Sequence, residues 1–350
     1  MTSEPHVSQV VIACQGGGSH TAFTAGALKT LLRREGDMPY RIIGLSGTSG
    51  GAICAFLTWF GLIRLSQNAW SRDQIIELID NFWQGNSATQ PWEKAWNDWV
   101  VAVLKLQGRG MLPMLNTSPY SAPVSLSVQT LQALFPRREF LDLRLLLERH
   151  VDLAAVQQPI YQPRLLIGAV EVLSGSFKAF DSCLSEISFD AVLASTTLPT
   201  LFRAVRIEDG VYWDGLFSQN PPIREFLRGL AAADKPDEIW VIRINPQTRA
   251  TEPTTAEEIE DRRNELAGNL SLNQELAFIE CINRWLADGS LVTGSKKPIK
   301  VRDLEMSPER SVGLGLSSKL NRDGAFIAEL MAHGEERAIR FLQEWRPVAQ

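Results

Sequence analysis

Twice within its first 63 residues the chain passes from a short apolar run through a cluster of glycines into an apolar helix. The first pass is "VVIAC", residues 10–14, then Gln15 and the glycines Gly16, Gly17 and Gly18, then "TAFTAGALKTLLRR", residues 21–34, with Ala22, Ala25, Leu28 and Leu31 or Leu32 on one face. The second is "YRIIGLSG", which leads through Thr48, Ser49 and Gly50 into "GAICAFLTWFGLI". Short β-branched runs bounded by turn residues read as buried strands, and apolar residues three and four apart read as helix. Strand, turn, helix repeated in this order is a parallel βαβα opening, because parallel neighbours need a crossover that packs back on the sheet. The expected fold class is therefore α/β with a mostly parallel central sheet.

The rest of the composition narrows the function. With 350 residues, 45% of them hydrophobic and 21% charged, the chain has ample material for a large core. A net charge of −5 argues against nucleic acid as a partner, since a basic surface is the electrostatic minimum for that role. "MTSEPHVSQVVIACQGGG" lacks the basic, long-apolar and small-residue order of a secretory signal, and the 14-residue stretch "GGAICAFLTWFGLI" is shorter than the ~20 residues of a spanning helix. A cytoplasmic protein that visits a membrane surface at most is the expectation. Cys14, Cys54, Cys183 and Cys281 stand singly in apolar surroundings, with no spacing of a metal site or disulfide framework. No metal and no cofactor is expected.

Residues 64–140 read as an insertion of helical stretches, among them "DQIIELIDNFW" and a helix carrying Trp92, Trp96 and Trp99, broken by "LPMLNTSPYSAPVS". "RLLIGAVEVLSG" and "SFKAFDS" read as paired strands, "AVRIEDGVYWDG" as a hairpin turning at Glu208, Asp209 and Gly210, and "EIWVIRI" as another buried strand. After Thr255 the pattern is mostly charged amphipathic helix. The expected organisation is an α/β domain over 1–250 and a helical region over 251–350 that packs on it or extends it.

"GLSGTSGGA", residues 44–52, holds two serines. A serine hydroxyl reacts only when a base takes its proton and its attack geometry is fixed. A strand-to-helix turn fixes that geometry if the residues two before and two after are small. Ser49 meets the condition with Gly47 and Gly51, and Gly50 follows it, whereas Ser46 has Thr48 on its far side. The bland alternatives are a chance match or a flexible loop; the strand before and the apolar helix after are the context that a nucleophile turn demands. An acyl-transfer site also needs oxyanion donors, and Gly16, Gly17 and Gly18 offer backbone N–H groups without side chains. A dinucleotide-binding turn is the rival, but Thr21 stands where its third glycine belongs, and no acidic residue follows at the right distance. The base is less clear from the residues: His6, His20, His150 and His333 are the only histidines, and a single βα unit before the turn argues against an ordinary Ser-His-Asp order.

Four separated motifs resemble those of the bacterial patatin-like phospholipases in order: the loop Gly16–Gly18, the turn at residues 47–51, "ASTTLPTLF" at 194–202, and "WDGLFSQNPP" at 213–222, similar to the family's D-G-[GA]-x-x-x-N-x-P. The resemblance frames residues 10–245. It implies a three-layer α/β/α fold and a Ser–Asp dyad, with Ser49 as nucleophile, Asp214 as base and no histidine between them. Tyr212, Trp213, Leu216 and Phe217 surround Asp214 in sequence and suit the desolvated setting that such a base requires. Asp209 is the competitor, but an Asp-Gly pair in a hairpin turn already has a structural reason. The chain departs from the family at His20, where Arg or Lys is usual, at Thr21, where the loop closes on glycine, and at Leu216, where Gly or Ala is usual. The first departure bears on head-group contact, the last on the pocket wall.

The resemblance thus implies a lipid acyl hydrolase of phospholipase A or lysophospholipase type, with a lipid substrate at a membrane surface. A non-lipid carboxylesterase or thioesterase with the same dyad, and a silent regulatory module, are the alternatives. Trp92, Trp96 and Trp99 line one helical face and read either as ordinary packing or as a lid within residues 86–120.

Overall fold

The computed structural model describes residues 6–112, 118–134, 137–199, 201–311 and 313–347. In chain order the elements are β1 (Ser8–Cys14), α1 (Ala22–Arg34), β2 (Tyr40–Thr48), α2 (Gly50–Ser66), α3 (Arg72–Asn86), α4 (Pro91–Gly108), α5 (Ala122–Leu134), α6 (Leu143–His150), β3 (Arg164–Glu171), β4 (Phe177–Asp181), α7 (Phe189–Thr196), β5 (Val205–Ile207), β6 (Gly210–Asp214), β7 (Glu238–Arg243), α8 (Ala256–Ala287), β8 (Lys300–Glu305), the single turn α9 (Pro308–Ser311) and α10 (Gly324–Glu344). Pairing links the strands in the order β5-β6-β3-β2-β1-β7-β8, with β4 also on β3. Strands β3, β2, β1, β7 and β8 run parallel to one another, β4 and β6 pair antiparallel with β3, and β5 pairs antiparallel with β6.

Alternate residues of β1 enter two different cores, as the two-residue period of a strand requires. Val10, Ile12 and Cys14 join a cluster with Leu28 of α1, Phe56 and Trp59 of α2, Phe82 of α3 and Leu330 of α10. Val11 and Ala13 join a second cluster with Ile239 and Val241 of β7 and Leu272, Leu276 and Ile279 of α8. The sheet is thus covered on both faces, a three-layer α/β/α arrangement. Helix α2 is buried at every position from Gly50 to Ile63, which explains why its sequence is apolar all round instead of on one stripe.

The segment after Thr255 is not helix alone. It adds β8 beside β7, and α10 packs against α1 so tightly that a Cβ at Gly26 would collide with the Met331 carbonyl group. The charged pattern "KVRDLE" of β8 conceals the strand, because it lies at the end of the sheet where charge is tolerated. No helix among the described residues is long and apolar enough to cross a membrane. All four cysteines are free.

Candidate active site

Strand β2 ends at Thr48, and α2 begins at Gly50. Ser49 alone makes the bend, at φ 57° and ψ −132°. A residue with a Cβ rarely occupies that backbone region, and its occurrence marks stored strain. The flanking glycines permit it: a Cβ at Gly47 would sit 2.6 Å from Ala52 Cα, and one at Gly51 would sit 2.7 Å from the Gln15 carbonyl oxygen. Ser46, the other candidate, is fully buried inside β2. The N-terminus of α2 starts beside Ser49, so the partial positive charge of the helix lies next to this residue.

Asp214 reaches the same place by a different route. Residues 166–168 of β3 pair with β2 on one edge and with β4 on the other, while Ala169 and Val170 pair with β4 and β6. Each strand has only two edges, so β2 and β6 must share one edge of β3, end to end. Thr48 pairs with Gly168 and Asp214 with Ala169, and because β2 runs parallel and β6 antiparallel to β3, their C-terminal ends converge. The register of β3 thus brings residues 49 and 214 together.

The Asp214 side chain is completely buried. Burial raises its pKa from 3.8 to about 7, against the pull of the Ser49 hydroxyl, the Leu216 N–H and the charge of Lys319. Oδ1 accepts the Leu216 N–H at 2.9 Å, and Oδ2 has no hydrogen bond of good geometry among the described residues. Ser49 is therefore near enough to influence the carboxyl without a fully aligned bond. Such a carboxylate accepts a proton near neutral pH. Asp209, its competitor, lies exposed in the β5–β6 turn. The Phe217 side chain lies outside the described residues.

The glycine loop between β1 and α1 approaches the same point. The Gly16 N–H is already used, donating to Asn220 Oδ1 at 2.6 Å. Gly17 and Gly18 donate to no protein acceptor among the described residues, so their N–H groups are the ones left for an oxyanion. Gln15 anchors the loop from behind: its Oε1 accepts from Ile244 N and Asn245 N, and its Nε2 donates to the Gly268 carbonyl and Asn269. His20 is buried, with Nε2 2.7 Å from Ser318 Oγ, and burial pushes its pKa well below the usual value. His150 contacts the Leu146 carbonyl, His333 accepts the Ser307 N–H, and His6 lies against Asp237. No imidazole bridges Ser49 and Asp214.

Ser195, inside "ASTTLPTLF", has a role that no local sequence signal announces. Ser195 is fully buried, accepts the Ser49 N–H at 2.9 Å, and donates to the Gly168 carbonyl at 2.6 Å. Two residues on, the Thr197 carbonyl accepts the Asp214 N–H at 3.0 Å. One segment therefore holds the backbone of both residues. Ser195→Ala leaves a buried donor and a buried acceptor unpaired, a cost of about 1–3 kcal/mol. We expect a matching fall in thermal stability and a loss of about tenfold or more in kcat, read by thermal unfolding and ester hydrolysis; unchanged values for both would remove the clamp.

The tryptophan helix α4 buries Glu93 and Asn97, not its aromatic face. Glu93 pairs with Arg137 at 2.7 Å, and Asn97 bonds Asn321 and the Arg322 N–H. Trp92 packs edge-on against Phe140, and Trp96 lies beside Trp99, which is 57% exposed. Residues 113–117 of the proposed lid lie outside the described residues.

A family model described as patatin-like phospholipase matches residues 12–227. Among solved structures, VipD from Legionella pneumophila is similar at a TM-score of 0.40 and 14% identity, over 97% of this chain and 67% of VipD. The type III effector protein ExoU is similar at a TM-score of 0.28 and 15% identity, over 96% of this chain and 54% of ExoU. No curated protein matches significantly.

Proposed function

Because the chain belongs to the patatin-like phospholipase family, a family of lipid hydrolases, we propose that it cleaves carboxylic ester bonds of phospholipids or lysophospholipids with Ser49 as nucleophile and Asp214 as base. The observation that carries this reading is a buried carboxyl with a pKa of about 7, one oxygen unbonded, beside a serine held at a strained strand-to-helix bend.

The steps follow from these positions. As Ser49 Oγ bonds to the ester carbonyl carbon, its proton passes to Asp214, and the carbonyl electron pair moves to the oxygen. That oxyanion is held by the Gly17 and Gly18 N–H groups, which have no protein acceptor among the described residues. Collapse breaks the bond to the alcohol, which takes the proton from Asp214 and leaves an acyl-Ser49. Water then gives a proton to Asp214 while attacking the acyl carbon, and Ser49 recovers that proton as the fatty acid departs.

A cavity of about 430 Å³ next to the segment that supports Asp214, though lined by neither Ser49 nor Asp214, offers room for an acyl chain. Val124, Leu141, Leu193, Leu201 and Phe202 line it, together with Thr197, whose carbonyl holds Asp214. This is within the range of small-molecule sites, and each methylene it removes from water contributes about 0.8 kcal/mol. Leu201 and Phe202 are also exposed at the surface, as entry from a membrane requires. The test compares fatty-acid release from phosphatidylcholine–phosphatidylglycerol vesicles with hydrolysis of p-nitrophenyl butyrate and a butyryl thioester. Vesicle hydrolysis with kcat/KM rising with acyl length is the expected result. Activity on the short ester or thioester alone would replace the substrate class, and none on any would leave a silent module.

A further inference from the structure

Beyond the span matched by the family model, residues 316–320 form a short 3₁₀ turn that lies on the glycine loop. Gly18 has φ 57°, and a Cβ there would collide with the Lys319 carbonyl oxygen. A Cβ at Gly17 would lie 3.7 Å from Lys319 Cε, and His20 meets Ser318 next door. The backbone of Lys319 thus crosses Gly18, while its stem runs beside Gly17. Its Nζ donates to Asn245 Oδ1 at 3.1 Å and to Asn264 Oδ1. Asn245 is itself tied to Gln15, the residue that opens the loop. The loop supplies no cation of its own, since residues 15–28 contain neither Lys nor Arg.

We infer that Lys319 is a positioning residue of the active centre: its backbone fixes the Gly17–Gly18 turn, and its ammonium group supplies the positive charge beside that turn and favours the ionised form of Asp214. The inference rests on the reading of Ser49 and Asp214 given above. During acylation the carboxylate is neutralised as negative charge appears on the substrate oxygen by the glycines. A cation fixed beside that loop favours both charge distributions without moving. Before the substrate arrives it adds to the Ser49 hydroxyl and the Leu216 N–H in favouring the ionised form of a fully buried carboxyl.

The surroundings of Lys319 are charged on several sides. Asp261 and Glu265 of α8, Asp214 of β6 and His20 of the loop all act on it or feel its charge. Glu265 is shared with Arg249 at 2.6 Å and Arg262 at 2.9 Å, and Asp261 accepts the Leu316 N–H at 2.6 Å. Burial outweighs these acids and brings the lysine pKa from 10.5 down to about 8.

The test is the pH profile of kcat/KM on a short soluble ester for wild type, Lys319→Met, Lys319→Gln and Lys319→Arg, with thermal unfolding of each. Loss of the charge is expected to move the acid limb up by about one unit. Lys319→Arg, which keeps the charge, should hold the limb near its wild-type position. Lys319→Gln retains a hydrogen-bond donor, so one neutral variant remains if Lys319→Met does not fold. A neutral folded variant with the wild-type acid limb overturns the inference, as does an arginine variant that shifts as the neutral ones do. Asp214→Asn is run in parallel. If it keeps the wild-type acid limb, the base assignment itself fails, a result distinct from a failure at Lys319.

Discussion

Asp214→Asn is expected to lower kcat/KM on a short soluble ester by about 10³-fold at pH 8 and to raise the melting temperature at the same pH. The first effect follows from removal of the proposed base. The second follows from what burial costs. A carboxyl whose pKa goes from 3.8 up to about 7 on folding binds its proton more tightly folded than unfolded. Its stabilising contribution is intact below pH 4 and is lost as the pH rises through 7, by roughly 4 kcal/mol at 1.36 kcal/mol per unit. An amide carries no such dependence. The difference in melting temperature between the variant and wild type should therefore be small at pH 4 and grow in favour of the variant up to pH 8. Wild-type activity should rise over the upper part of this window, as the carboxyl ionises. A stability difference that stays flat with pH, or activity within tenfold of wild type, would count against Asp214 as a buried base.

What the sequence revealed follows from how local each requirement is. The bend at Ser49 shows in its glycines because close strand–helix approach excludes side chains at residues 47 and 51, a demand that a five-residue window expresses. The β5–β6 hairpin shows in the same way, through the turn at Glu208 and Asp209. The roles of Ser195, Asn220 and Lys319 stay hidden because each depends on a partner remote in the chain: Ser49 lies 146 residues from Ser195, and Gly16 lies 204 from Asn220. No periodicity encodes such a pairing. Helix α4 hides its orientation for another reason. Apolar spacing points to the tryptophans as the inward face, but the ion pair of Glu93 with Arg137 and the hydrogen bonds of Asn97 make a polar face inward instead. Strand β8 hides behind its charges.

The same local demand makes Ser49 the position where activity and stability oppose each other most directly. Ser49→Ala and Ser49→Gly both remove the hydroxyl, and both should lose at least about 10⁴-fold in kcat together with labelling by a fluorophosphonate probe. They differ only in the Cβ. At an ordinary site glycine is the less stable of the two by about 0.5–1 kcal/mol, because it loses more backbone freedom on folding. At φ 57° and ψ −132° the Cβ of alanine keeps the steric strain, which is worth about 1–3 kcal/mol, and glycine releases it. Ser49→Gly should therefore unfold at a higher temperature than Ser49→Ala, reversing the usual order. The reversal would show that the folded chain sustains a distorted residue for which packing has no need, held by the Ser195 hydrogen bond and the start of α2. Alanine as the more stable variant would mean that the bend is relaxed, and probe labelling that persists in either variant would move the nucleophile elsewhere.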